Sequence, residues 1–158
     1  MRTRMKQTAL AVTLSLAAAL SLTQMAASDP RGGFRAGVNL DTDDPFVGGE
    51  LLAPMGGSWW ANPNLEYTFG DAVNVVGFNA DFHYDIGTSG ETMFWVGPGL
   101  AVLVRDHEHP AVDTETDVGL NGIMGVGWRL DSGVIPYVQG KVVLADDSEG
   151  ALGFGLRF

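Results

Sequence analysis

The sequence predicts an all-β fold, an eight-stranded antiparallel up-and-down transmembrane β-barrel. Three observations carry that expectation. Period-2 runs bounded by Gly, Pro, Asp and Ser clusters recur eight times after the first 30 residues, with no competing 3.6-residue period. The connections alternate between compact turns and longer acidic loops. The final stretch, ALGFGLRF, puts Leu152, Phe154, Leu156 and Phe158 on one face and Ala151, Gly153, Gly155 and Arg157 on the other.

Residues 1–28 are set apart as a cleaved secretory signal peptide. Arg2, Arg4 and Lys6 form a basic n-region, Thr8 to Leu22 is an apolar stretch too short to span a bilayer, and Ala26, Ala27 and Ser28 offer a cleavage site. The expected barrel domain is 29–158. It holds six basic residues against 19 acidic ones, a net charge of −13, which disfavours nucleic acid and direct binding of anionic head groups. The chain has no cysteine, so neither a disulfide nor a lipidated cysteine holds it in place.

The strands are expected at Phe34–Leu40, Phe46–Ala53, Trp59–Phe69, Val73–Tyr84, Thr92–Arg105, Thr116–Leu130, Val134–Ala145 and Gly150–Phe158. After the second, fourth and sixth come PMGGS, DIGTSGE and DSG. After the first, third, fifth and seventh come DTDDP, GDA, DHEHPAVDTE and DDSE, which carry the acidic groups. An even number of strands brings both ends of the meander to the turn side. Phe34, Trp59, Trp60, Phe82, Tyr84, Phe94, Trp95, Trp128, Tyr137 and Phe158 then fall near that rim, as interfacial aromatics do, and Phe46, Tyr67 and Phe69 near the other. Pro63, Pro98 and Pro136 interrupt three strands and should mark bulges, strand ends or rim positions.

Alternation does not say which face is inside. A soluble surface is about 25–35% charged, whereas the polar face here is mainly glycine and asparagine, and Lys141 is the only lysine after the leader. Glycine suits the crowded interior of an eight-stranded barrel, so polar inside and lipid outside is the expected arrangement. Arg35, Glu50, Glu66, Asp81, Arg129, Lys141 and Arg157 then share the inward parity, and buried charges must pair. An interior network of these seven with Asn62, Asn64, Asn79, Asn121, Gln139 and His83 follows.

With these features the sequence resembles small eight-stranded outer-membrane β-barrels of the OmpA/OmpX type, over residues 34–158. The most specific piece is ALGFGLRF: Leu152, Phe154, Leu156 and Phe158 are similar to the C-terminal assembly signal of that class, read by the barrel insertion machinery. The resemblance implies an outer-membrane location, contact with lipid and lipopolysaccharide, and a polar plug in the lumen. It extends to lipid A acyltransferases and deacylases, which need a nucleophile with a histidine base and a carboxylate. His83, His107 and His109 do not share a strand face at close spacing with Ser58, Ser89, Ser132 or Ser148, so no catalytic residues and no enzyme activity are expected.

The segment Arg105 to Asp117 places Asp106, His107, Glu108, His109 and Asp113 close together, with Glu115 and Asp117 beyond. These match no rigid ligand set, and a solvated acidic loop outweighs a metal site. A loop-bound Ca²⁺ or Mg²⁺ bridging to lipopolysaccharide phosphates is the weaker expectation, and no other cofactor is expected. The function that fits is a non-enzymatic barrel presenting acidic extracellular loops, for envelope integrity or surface interaction. A narrow pore and a soluble periplasmic lipocalin-like barrel binding an apolar ligand are the alternatives.

Overall fold

The computed structural model describes residues 30–71, 73–107, 115–145 and 148–158. The expected leader therefore lies outside the described residues. Eight strands follow in order: β1 Arg31–Asn39, β2 Pro45–Gly56, β3 Trp59–Thr68, β4 Val73–Ser89, β5 Thr92–His107, β6 Glu115–Trp128, β7 Ile135–Leu144 and β8 Glu149–Arg157. Each pairs antiparallel with its sequence neighbours, and β8 returns to β1 to close the barrel. Closure leaves no sheet edge, the condition under which strands can cross hydrocarbon.

The register fixes the slant of the strands. Followed from Gly125 through Gln139, Gly153, Gly37, Phe46, Thr68, Val75 and Arg105, the pairing returns to β6 at Glu115, ten residues from its start. Such a stagger belongs with the steep tilt, about 35–45°, of small membrane barrels. The connections after β2, β4 and β6 lie at one end, the turn end, and those after β1, β3, β5 and β7, richer in acidic residues, at the other, the loop end. At the turn end, β4 and β5 run further than the DIGTSGE motif suggests: Ser89 pairs with Thr92, and Gly90 takes a left-handed φ of 62° in a two-residue turn. A register shift between Asp85 and Gly87 absorbs the extra length.

The apolar parity faces out. On β4, Phe78 is 53% exposed and Asp81 is 1% exposed. This is the reverse of a soluble barrel, where the apolar face fills the core. Three aromatics depart from the expected rims, because Phe46, Trp95 and Tyr137 point into the lumen. Height along the barrel does not decide which way a ring faces, whereas an opposing glycine does. A methyl added at Gly37 would lie 2.6 Å from the Phe46 ring, and one at Gly125 or Gly155 would collide with Trp95 or Tyr137.

Of the prolines, Pro136 sits at the start of β7, as expected. Pro63 and Pro98 lie within strands and carry no register shift there, so they mark no bulge. Instead the ladder skips them on one side: β2–β3 pairing breaks between Glu50↔Asn64 and Ala53↔Ala61, and β4–β5 pairing between Asp81↔Gly99 and Tyr84↔Val96. At Pro63, which has no N–H to give, the Asn62 side-chain amide donates to the Leu51 carbonyl at 2.8 Å.

Candidate functional site

The lumen gathers most of the polar residues that the sequence singles out. Six of the seven expected charges are there: Arg35, Glu50, Glu66, Asp81, Lys141 and Arg157 are each at most 8% exposed. Five form an alternating chain. Arg157 Nε donates to Glu50 Oε1 at 2.8 Å, Arg35 donates to Glu50 Oε2 at 2.5 Å and to Glu66 Oε1 at 3.0 Å, and Lys141 pairs with Glu66. Three cations and two anions leave one positive charge, and Asp81 brings the six to neutrality without an ion pair of its own. Its carboxylate accepts from Asn64 at 2.9 Å and Asn121 at 2.7 Å, and Asn79 ties these two amides together. Burying these groups is tolerable because each finds hydrogen-bonding partners.

Glycines make room for this network. Gly33 lies under Glu50, where a Cβ would meet Oε1 at 2.9 Å, and a Cβ on Gly99 would collide with the Asp81 carboxylate. Glu50 can thus reach from β2 over β1 to Arg157 on β8, linking the last strand to the second.

Toward the turn end the lumen is aromatic. The His83 ring stacks on Trp95 at 5.5 Å with planes 4° apart, and Tyr137 meets Trp95 edge-on at 5.8 Å. The Arg157 guanidinium lies 4.9 Å from the Trp95 ring and 4.2 Å from the Tyr137 ring, close enough for cation–π attraction. Trp95 Nε1 donates to Gln139 at 3.1 Å. His83 is committed to this packing; its Nε2 makes no hydrogen bond among the described residues.

Toward the loop end the walls open. Arg105 Nε donates to Asp117 at 3.0 Å, its guanidinium also pairs with Glu149, and Asn39 donates to Glu149 at 3.1 Å. Below them is a cavity of about 30 Å³ lined by Asn39, Glu66, Thr68, Lys141, Val143 and Glu149 among others, room for water and no more. This cavity is too small and too polar for the apolar ligand of a lipocalin-like barrel.

Two sets of expected residues fall elsewhere. Arg129 is a correction: it follows the end of β6, is exposed, and lies 3.7 Å from the Met93 sulfur instead of joining the charge network. The inward parity of β6 stops meaning anything once the strand has ended. Of the metal candidates, Asp106 is exposed, and Glu108, His109, Asp113 and the His107 side chain lie outside the described residues. Asp117 is taken by Arg105, and no cluster of three or more metal-ligating side chains occurs among the described residues. Leu152, Phe154, Leu156 and Phe158 all face outward, with the Phe158 and Phe34 rings 5.8 Å apart.

An apolar exterior around a filled, charge-balanced polar interior defines the class: a small eight-stranded barrel of the outer-membrane type. Solved structures agree on the fold. The chain is similar to the N-terminal β-barrel domain of Pseudomonas aeruginosa OprF, with a TM-score of 0.67 and 14% identity over 82% of this chain and 95% of that one. It is similar to Neisserial surface protein A at 0.61 and 12%, over 81% and 92% of the two chains. For Ail, the attachment invasion locus protein of Yersinia pestis, in complex with the heparin analogue sucrose octasulfate, the score is 0.50 at 11% identity, over 82% and 96%. No protein-family model and no curated protein sequence matches the chain.

Proposed function

We propose that the chain is an integral outer-membrane barrel without catalytic activity, whose role is to hold acidic loops at the cell surface for envelope integrity or surface interaction. The observation that carries this reading is the inverted polarity, with Phe78 and its outward neighbours exposed and Asp81 and its inward neighbours buried. Only hydrocarbon makes that inversion favourable. Extraction tests it directly. The protein should stay with membranes at high salt and high pH, leave with detergent, and migrate faster on a denaturing gel before boiling than after. Release without detergent would overturn the reading.

Lipid and lipopolysaccharide are the proposed surroundings, and the barrel insertion machinery the proposed partner during assembly. Deleting Phe158 should lower the amount inserted in cells several-fold while changing the unfolding midpoint of the refolded barrel little. Nucleic acid is no partner in this reading. The loop acids disfavour a polyanion such as the one bound in the Ail complex; Ca²⁺ or Mg²⁺ could join them to lipopolysaccharide phosphates. Chelation should then raise loop mobility, measured by a spin label at Asp43. A pore is the less favoured reading, since eight strands leave an interior just wide enough for side chains and those here are buried. Planar-bilayer recordings should accordingly find no steady conductance.

A further inference from the structure

Alternation alone leaves the closing strand free to slide. A one-residue slip of β8 would turn its apolar face inward, whereas a two-residue slip keeps each face as it is. If β8 slides two residues toward the turn end, past β1 and β7 alike, Phe154 and Leu156 take the outward places of Leu156 and Phe158. On the inward side Gly153 moves under Tyr137 in place of Gly155, so that ring still meets the glycine it requires. Ala151 replaces Gly153, where a Cβ stands 3.2 Å from the Phe46 ring, a contact that a small shift relieves. Glu149 leaves Arg105 and Asn39 for the place of Ala151, opposite Lys141, and so exchanges one cation for another. The connection after β7 can give up two residues, since three-residue hairpin loops are common.

Of the inward side chains of β8, only Arg157 finds nothing in exchange. In the observed register its Nε donates to Glu50 Oε1 at 2.8 Å, and its guanidinium lies 4.2 Å from the Tyr137 ring and 4.9 Å from the Trp95 ring. Two residues lower it would leave the lumen at the turn end, Glu50 would keep Arg35 alone, and Gly155 would fill none of the vacated volume. The opposite slide is barred by the same residue. It brings Arg157 to the place of Gly155, where a Cβ lies 2.2 Å from Tyr137 Cζ. A buried ion pair adds little net stability over a well-packed apolar substitute, yet a stranded partner is expensive, so such pairs are best suited to choosing a register.

We infer that Arg157 selects the register in which β8 closes the barrel, holding the last strand against β2 through Glu50 and against β5 and β7 through the Trp95 and Tyr137 rings. It is a positioning residue for closure. The inference stands apart from the surface role proposed above.

Amide–amide nuclear Overhauser contacts across the β1–β8 seam read the register of the refolded barrel in detergent micelles. The unaltered chain should show Ala36 against Phe154 and Val38 against Leu152 alone. Arg157→Ala should add a second set, Ala36 against Leu152 and Phe34 against Phe154, the two-residue shift that parity permits. A variant that is less stable yet keeps Ala36 against Phe154 alone would overturn the inference, because an arginine that merely stabilises leaves the register untouched. If Arg157→Ala does not refold, Gly155→Arg combined with Arg157→Gly takes its place, since this pair of changes returns a guanidinium to Glu50 only after the slide. The contacts of Ala36 should then move wholly to Leu152. Retention of Phe154 opposite Ala36, or failure of this second variant to refold, would equally overturn the inference.

Discussion

At the turn end of the lumen, Trp95, Tyr137 and Arg157 are no more than 3% exposed and are packed ring on ring and guanidinium on ring. At the loop end, Arg105, Asp117 and Glu149 hold one another while 12–19% of each side chain remains in water. Both ends join strands that are not neighbours, yet by different forces. Dispersion and cation–π contact in a dry site do not weaken with salt, whereas a half-wet ion pair is screened and contributes little. The lumen is thus held firmly at one end and loosely at the other.

Glu50→Gln should have the largest effect. It leaves Arg157 with no ion pair and Arg35 with Glu66 alone, for a loss of about 3–5 kcal/mol, read from urea unfolding of the refolded barrel. A loss below about 1 kcal/mol, the value for exposed pairs, would mean that the turn-side lumen is as wet as the loop end. Gly125→Ala comes next, at about 1–3 kcal/mol, because the methyl collides with Trp95. Gly122→Ala, three residues away on the outward face of β6 with nothing within 4 Å of its added methyl, serves as its control and should stay within about 0.5 kcal/mol. Arg105→Ala should cost less than about 1 kcal/mol. Raising salt from about 0.1 to 1 M should erase most of that difference and leave the Gly125→Ala deficit intact; a salt-resistant Arg105 effect would erase the contrast between the two ends.

Much of this was legible in the residues because the outward face obeys one rule. Every outward position must be apolar or small, so the strand bounds follow from alternation to within a few residues. The inward charges were legible for a related reason, since Arg35, Glu50 and Lys141 stand out against glycine and asparagine. The aromatic closure was not. On β5 both faces are apolar, with Met93, Trp95, Ala101 and Leu103 inside and Phe94, Leu100 and Val102 outside, so parity is silent there. The signal that could have found it is complementarity across strands, the bulky Trp95 opposite Gly125 and Tyr137 opposite Gly155. Arg129 escapes the rule because it lies past the end of β6, where alternation no longer sets which way a side chain points.

Asn62 joins two structures usually considered apart. Its side chain repairs the backbone ladder at Leu51, where the lipid-facing Pro63 has nothing to donate, and the same amide bonds Glu50 at 2.9 Å while its oxygen accepts from Arg35 at 3.0 Å. A proline on the outer surface is therefore accommodated by an asparagine inside, and the ring of charges is anchored to the main chain at that point. Loosening Asn62 would open the wall and unsettle the lumen in a single event, so the two should melt together.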